Sequence, residues 1–444
     1  MTTYETDLAA EVLRPGDDGY DESARTFFTT GAPAVVVRPR APGVVAAAVA
    51  HAAERGLSVS VRSGAHGFLG HATNNGGMVI DLRHLDGVEV LDRDRRLVRV
   101  GAGATWGKVA EALDPFDWGL TSGDTAGVGV GGLTLGGGMG WMLRKHGLAI
   151  DNLVGARVVT ADGRLLTASA EENPQLFWAI RGGGGNFGVV VDLDFVAQEV
   201  GTVHFGTATV QLDDPPGLIA RWRDAMRTAP EELTTTLVLM PPMPGAPAGP
   251  AAAQLLFCYA GEPGLTAEEV DEALDPLFSI GTVLEAEITE RRYRDVLEEA
   301  HEPPPFRMVP RNTLVPRLDD DAIAAVTAFH ASEAPTMVAI RSLGGAFGRV
   351  PEQETAFAHR DAEAMVFGGL IVPPTATDGE VEAALAPWRA VAAHGTGTYL
   401  NFQGSATDED LRTAYPPAHL TRLRAIKRAY DPGNLFRRNH NIAP

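Results

Sequence analysis

The chain has 444 residues, 45% of them hydrophobic, and a formal net charge of −20 at pH 7. That length exceeds what one hydrophobic core supports, so two domains are expected. The acidic balance opposes contact with nucleic acid or anionic membranes, no apolar run is long enough to span a bilayer, and the first residues lack a cationic, apolar leader; a cytoplasmic protein is expected.

In chain order, residues 34–37 are a β-branched run. Residues 42–54 (PGVVAAAVAHAAE) predict a helix with Pro42 in its first turn and Gly56 just past its end, and 57–61 a second strand. This order predicts a parallel α/β beginning. Further strands are expected at 78–82 and 97–100, and a short helix at about 105–113 with Thr105 as N-cap. Ala161-Asp162-Gly163 joins 156–160 to 164–168 as a hairpin, Asn173-Pro174 opens a helix through Ile180, and a strand follows at 189–195. From 201 to 395 the texture changes, with proline-rich stretches at 240–250 and 303–310 between strand-like and helical pieces. This reads as a second α+β domain, and the polar, motif-rich end of the chain is expected to pack back on the first. The single cysteine, Cys258, excludes internal disulfides and thiolate zinc clusters; within QLLFCYA it reads as a buried, inert thiol.

The 50 glycines gather at 63–77, 123–140 and 182–188. Gly127, Gly129 and Gly132 match G-x-G-x-x-G, but that fingerprint belongs in the first strand-to-helix turn, which here is VRPRAP. The glycine run also continues too densely for the start of a regular helix. A nicotinamide site is therefore set aside. Clustered glycines let consecutive N–H groups converge on phosphate oxygens, and Arg62-Ser63-Gly64-Ala65-His66-Gly67 and 182–188 suit such nests. On the residues alone, a tight turn is the favoured reading of any one cluster, though less so of three in one domain, and a structural histidine is the favoured reading of His66.

RSGAHGFLGH, GVGVGGLTLGGGMGWMLRKHGLAIDNL, ENPQLFWAIRGGGGNFGVV and YLNF with YDPGNLFRRNHNI carry a specific resemblance. Residues 33–196 resemble the FAD-binding domain of the vanillyl-alcohol oxidase superfamily. The whole chain is similar to bacterial berberine-bridge-enzyme-like FAD-linked oxidases. The resemblance implies an α+β, two-domain fold. A PCMH-type FAD-binding domain of two α/β subdomains, residues 1–200 completed by 396–444, would receive an inserted substrate domain, 201–395, built on an antiparallel sheet flanked by helices.

The same resemblance assigns roles. His66 stands where the family histidine of R-S-G-G-H bonds the flavin 8α-methyl, and a neutral imidazole is a sensible nucleophile there. Thr125 stands where many relatives carry a second, cysteinyl link, so FAD is expected to hang on His66 alone. Arg62, Ser63, Gly64, Ala65, Gly67, Val128, Gly129, Gly132, Gly138, Gly185, Asn186, Gly188 and Val190 complete the expected cofactor contacts, and valine at 128 accompanies oxygen reactivity in the family. Tyr399 matches the family tyrosine that faces the flavin and would act as base. Lowering a phenol by roughly 3 pKa units needs about 4 kcal/mol of phenolate stabilisation. Asn401 is expected on the same face by strand alternation, orienting Tyr399 or the flavin.

His146 stands where relatives often carry tyrosine, His71 and His84 read as ordinary polar residues, and no metal site is expected. The implied activity is hydride abstraction from an alcohol or activated C–H of a small molecule, with O₂ as acceptor, peroxide as product and a place in secondary metabolism. A flavin oxygenase acting on a polyketide-like substrate, a dehydrogenase using another acceptor and a non-catalytic flavin carrier remain open. Residues 201–395 do not select a substrate, and the sequence does not address oligomeric state.

Overall fold

A computed structural model describes residues 10–241, 251–262, 264–299 and 306–444. The N-terminal stretch 1–9, the proline-rich 242–250 and prolines 303–305 lie outside the described residues.

The opening helix runs Pro42–Arg55, and Gly56, at φ 63°, closes it by donating its N–H to the carbonyls of Ala52 and Ala53. Such a left-handed C-terminal residue suits glycine because it carries no Cβ. Val45, Ala48, Val49 and Ala52 bury the helix's apolar face. The strands on either side, Val35–Pro39 and Val59–Arg62, both pair in parallel with Met78–Asp81, which lies between them. Ala10–Leu13 adds an antiparallel edge.

A second sheet is antiparallel, in the spatial order Val88–Asp92, Leu97–Gly101, Val189–Val196, Leu153–Val159, Leu165–Ser169. Its last two strands are the expected hairpin. Thr105 caps the helix Trp106–Leu113 by accepting from the Lys108 N–H, and Pro174 starts the helix Pro174–Ile180. One hydrophobic core runs beneath both sheets and takes in Leu411, Leu423, Phe436 and Ile442, so the end of the chain does return to the first part.

The glycine-rich run corrects one expectation, because Val130–Leu135 is a short helix despite Gly131 and Gly132. Packing outweighs propensity here: the Gly131 N–H donates to the Ala102 carbonyl at 3.1 Å, and a Cβ at Gly131 would sit 2.9 Å from that oxygen.

The third sheet has seven antiparallel strands in the order Val283–Arg292, Thr202–Gln211, Ala252–Tyr259, Leu233–Leu239, Thr336–Ser342, Ala364–Val372, Arg307–Val315. Helices Pro215–Thr228, Ala267–Phe278 and Asp320–His330 join it in one core around Trp222, Leu255 and Phe329. A separate cluster joins Val203, Phe205 and Cys258 of this sheet to Trp141 and Met142, and another joins Leu314 and Phe347 to Met139 and Tyr399. The sheet is thereby seated on the segment following the second glycine cluster. Cys258 is wholly buried and burial pushes its thiol pKa up, as its apolar setting predicts. Among the described residues no helix is long and apolar enough to cross a membrane, and no cluster of His, Cys, Asp and Glu could hold a metal ion.

Candidate active site

The three glycine clusters converge on one cavity of about 630 Å³. Ser63, Gly64, Ala65, His66 and Gly67 line it from the first cluster, and Thr125, Val128, Gly129 and Gly132 from the second. Gly185, Asn186, Gly188 and Val190 come from the third, and Tyr399 and Asn401 from the returning chain end.

Backbone contact explains how the first two loops meet. A Cβ at Gly64 would lie 2.2 Å from the Gly129 nitrogen, and one at Gly129 would lie 2.1 Å from the Gly64 nitrogen. Among the described residues, the N–H groups of Gly64, Ala65, His66 and Gly67 donate to no protein acceptor, which leaves them for an anion.

His66 follows Ala65, a residue held at φ 58° in the left-handed region that costs a non-glycine roughly 1–2 kcal/mol. Phe27 donates its N–H to the Ala65 carbonyl at 3.1 Å and stacks on the His66 ring, centroids 4.9 Å apart. Burial, with the nearby Arg62 charge, lowers the His66 pKa, so the imidazole is neutral at pH 7.

Tyr399 is 2% exposed. Its phenol oxygen accepts from the Gly138 N–H at 3.2 Å and from Asn401 Nδ2 at 2.9 Å. Both lone pairs are thus used, while among the described residues the phenol proton meets no acceptor. Burial pushes the phenol above its ordinary pKa; the Asn401, Gly138 and Met139 donors and the Arg341 charge pull it back only in part. The Asn312 side chain fixes the tyrosine backbone, accepting from Tyr399 N at 2.7 Å and donating to Tyr399 O at 2.9 Å.

Three expectations need correction. Tyr399 and Asn401 do meet, but not by strand alternation: Leu400–Phe402 is a 3-10 turn, and the turn brings the Asn401 amide back onto the phenol. Gly136 makes room, since a Cβ there would sit 2.2 Å from Asn401 Oδ1. Arg62 does not line the cavity; its guanidinium turns to the Arg25 carbonyl at 2.5 Å and to buried Asp81 at 3.6 Å. Gly138 does not line it either, and acts through its N–H on Tyr399.

Spacing gave no sign of Asn312, Phe27 or the Asp124–Arg341 ion pair at the cavity wall. A lone amide in the strand Arg307–Val315, whose residues 312–315 are all buried, was the one signal for Asn312. Thr125 is pinned by main-chain bonds beside it: Ala126 N donates to Glu298 O at 2.8 Å, and Glu298 N to Asp124 O at 2.9 Å.

The other histidines divide. His71 lines the cavity beside His440, ring centroids 5.6 Å apart; His84 sits against Glu11 at 3.3 Å; His146 does not line the cavity, and among the described residues its buried Nε2 has no partner. Burial lowers both His71 and His146 to about 4. An unfolded histidine takes up its proton near 6.5, so between 6.5 and 4 the unfolded chain binds more protons and stability rises with pH. The contribution is complete above 6.5 and is lost as pH falls to 4, at most about 3 kcal/mol per histidine. Urea titrations from pH 7 to 4 should show this fall, and His146→Leu should remove part of it; an unchanged profile in the variant would contradict the assignment.

Two family models match the chain: an FAD binding domain over residues 33–169 and a berberine and berberine-like segment over 398–443. The (R)-6-hydroxynicotine oxidase of Paenarthrobacter nicotinovorans is 31% identical over 460 residues, covering 98% of this chain and 97% of its own. Among solved structures, 6-hydroxy-D-nicotine oxidase from Arthrobacter nicotinovorans superposes with a TM-score of 0.86 at 28% identity, covering 98% of both chains. Glucooligosaccharide oxidase from Acremonium strictum, described as carrying 6-S-cysteinyl, 8α-N1-histidyl FAD, does so with a TM-score of 0.84 at 25% identity, covering 98% of this chain and 97% of its own.

This chain belongs to the berberine-like family of FAD-linked oxidoreductases. Its cavity fits the family's cofactor. At Gly67, Gly132 and Gly185 a Cβ would meet no atom within 4 Å, so the missing side chains leave open space for a ligand against bare backbone. Gly132→Leu is therefore expected to fold, because a Cβ there meets no protein atom within 4 Å and the side chain continues into the cavity it lines, and to purify without flavin. A variant that keeps its full flavin complement would contradict this placement.

Proposed function

We propose that this enzyme is an FAD-dependent oxidase that removes hydride from an alcohol or activated C–H of a small hydroxylated molecule and passes the electrons to O₂, releasing hydrogen peroxide. The observation that carries the reading is the Tyr399 hydroxyl, with both lone pairs held and its proton free to point into the cavity that His66 also lines. The matched relatives, oxidases of a hydroxynicotine and of a glucooligosaccharide, support a hydroxylated substrate.

Bound FAD supplies the two-electron acceptor. His66 would hold it through one covalent bond, for which a neutral imidazole is the competent form. Gly64 to Gly67 offer N–H donors to the pyrophosphate, and the open backbone at Gly132 and Gly185 admits the cofactor's bulk. Tyr399 exchanges the proton of the substrate hydroxyl, Asn401 and the Gly138 N–H hold its oxygen in place, and Asn312 fixes its backbone. Residues 1–200 with 396–444 form the cofactor domain in this reading, and 201–395 the substrate domain.

Thr125, whose hydroxyl cannot form a thioether, favours an oxygenase as the second reading. The ratio of peroxide released to O₂ consumed tests the choice: an oxidase gives one peroxide per O₂. Oxygen appearing in the organic product without peroxide would overturn the oxidase reading.

A further inference from the structure

The two edges of the seven-stranded sheet are treated differently. Arg307–Val315 is covered by the returning chain: Leu314 N donates to Gly397 O at 2.8 Å, Thr396 N to Leu314 O at 2.9 Å, and Gly404 N to Pro310 O at 3.0 Å. Val283–Arg292 pairs on its inner side with Thr202–Gln211 along nearly its whole length, and among the described residues no strand pairs with its outer side. Residues 284–288 are all exposed, with Leu284 at 46% and Ile288 at 39%. An open strand of this length is a template for pairing with another chain, and sheets usually block it with proline, a bulge or like charges. Here the edge has no proline and its charges are of both signs; its one register shift lies at the start, where Thr209 pairs with Glu285 and Val210 with Val283, so the bulge falls at Leu284 and leaves 285–292 regular.

We propose that Val283–Arg292 is a dimer interface that joins a second copy of this chain edge to edge, antiparallel, with Ile288 on the two-fold axis. Antiparallel neighbours related by a two-fold have that axis perpendicular to the sheet, so directly opposed residues point to the same face. With Ile288 on the axis it meets its own copy. Glu287 then faces the partner's Thr289, Ala286 the partner's Glu290, and Glu285 the partner's Arg291, each pair occurring twice, and the regular pairing ends before the bulge at Leu284. Opposite charges meet at Glu285 and Arg291, and no like charges are opposed. Placing the axis at Glu287 instead sets that carboxylate against its own copy and loses both ion pairs. Arg291 already lies along this row, its Nη2 3.9 Å from Glu287 and its guanidinium over the Phe205 ring. The self-complementary charge order identifies the occupant as a second copy rather than an unrelated strand. A strand pair buries an area at the low end of specific interfaces, so a dimer dissociating at roughly 10 µM is expected.

The test is sedimentation equilibrium of the flavin-loaded protein, with a cross-linking register. Wild type should pass from monomer to dimer between about 1 and 100 µM. Glu285→Arg and Arg291→Glu should each weaken the dimer about tenfold or more, and the double reversal should restore it. In Ile288→Cys a short bismaleimide should join two chains. In Leu284→Cys it should not, because the copies of that position lie about 27 Å apart along the strand pair. Native Cys258 is buried and serves as the silent control. A monomer throughout this range, an unaltered dimer in both charge reversals, or linkage through Leu284→Cys in place of Ile288→Cys would each overturn the proposal.

Discussion

Replacing Tyr399 by phenylalanine is expected to lower turnover by about 10²- to 10⁴-fold, the range for loss of a positioned acid–base group, with flavin content unchanged. The phenol oxygen is lost with its proton, and it accepts from the Gly138 N–H and the Asn401 amide. Leaving those donors unpaired costs about 1–3 kcal/mol of stability, which a denaturation curve separates from the catalytic loss. The pH profile carries the sign. Burial keeps the phenol protonated beyond its ordinary range, so turnover that depends on the phenolate rises with pH across the neutral region. That limb should vanish in Tyr399→Phe. A variant with wild-type turnover, or one that loses activity but keeps the limb, would remove Tyr399 from the proton transfer.

The second large effect concerns stability. Lys427→Met is expected to destabilise the protein by about 3–5 kcal/mol, because it leaves a buried charge without its partner. Lys427 and Asp431 have fully buried side chains, 2.6 Å apart, and Lys427 Nζ also donates to the carbonyls of Asn186 at 2.7 Å and Phe436 at 3.0 Å. Asp431 in turn accepts from the N–H groups of Leu435 and Phe436. The lysine thus ties the third glycine cluster to the chain end, where Asn186 also donates to His440 O and accepts from Ile442 N. Removing it should loosen one wall of the cavity as well as the fold. The double variant Lys427→Met, Asp431→Asn should recover much of the loss, since no unpaired charge then remains. Urea denaturation of the three proteins decides it, and a loss below about 1 kcal/mol in the single variant would contradict the account.

Local signals in the sequence carried the first part of the fold. Pro42 and Gly56 bracket a helix with a buried alanine and valine face, Thr105 caps the next, and Ala161-Asp162-Gly163 turns a hairpin; each is decided within a few residues of chain. The cavity was legible through the motifs, because His66, Tyr399 and the glycine clusters stand in family patterns. What escaped was set by distant contacts. The alternation of T-Y-L-N-F mimics a strand, yet Asn312, far away in sequence, clamps Tyr399 and the chain turns there instead. Arg62 adjoins the R-S-G-A-H turn, but its side chain is drawn the other way by Asp81, which also accepts from Ser23 and pairs with Arg83. The helix Val130–Leu135 forms where propensity argues against one, because Ala102 waits to accept the Gly131 N–H.

In the proposed arrangement FAD occupies this cavity on a single bond to His66. Acid precipitation of the purified protein, followed by mass analysis of its peptides, tests it most directly. The expected result is a yellow pellet and one FAD mass on the peptide containing His66, with none on the peptide containing Thr125. A colourless pellet from a yellow protein, or flavin attached elsewhere, would contradict it.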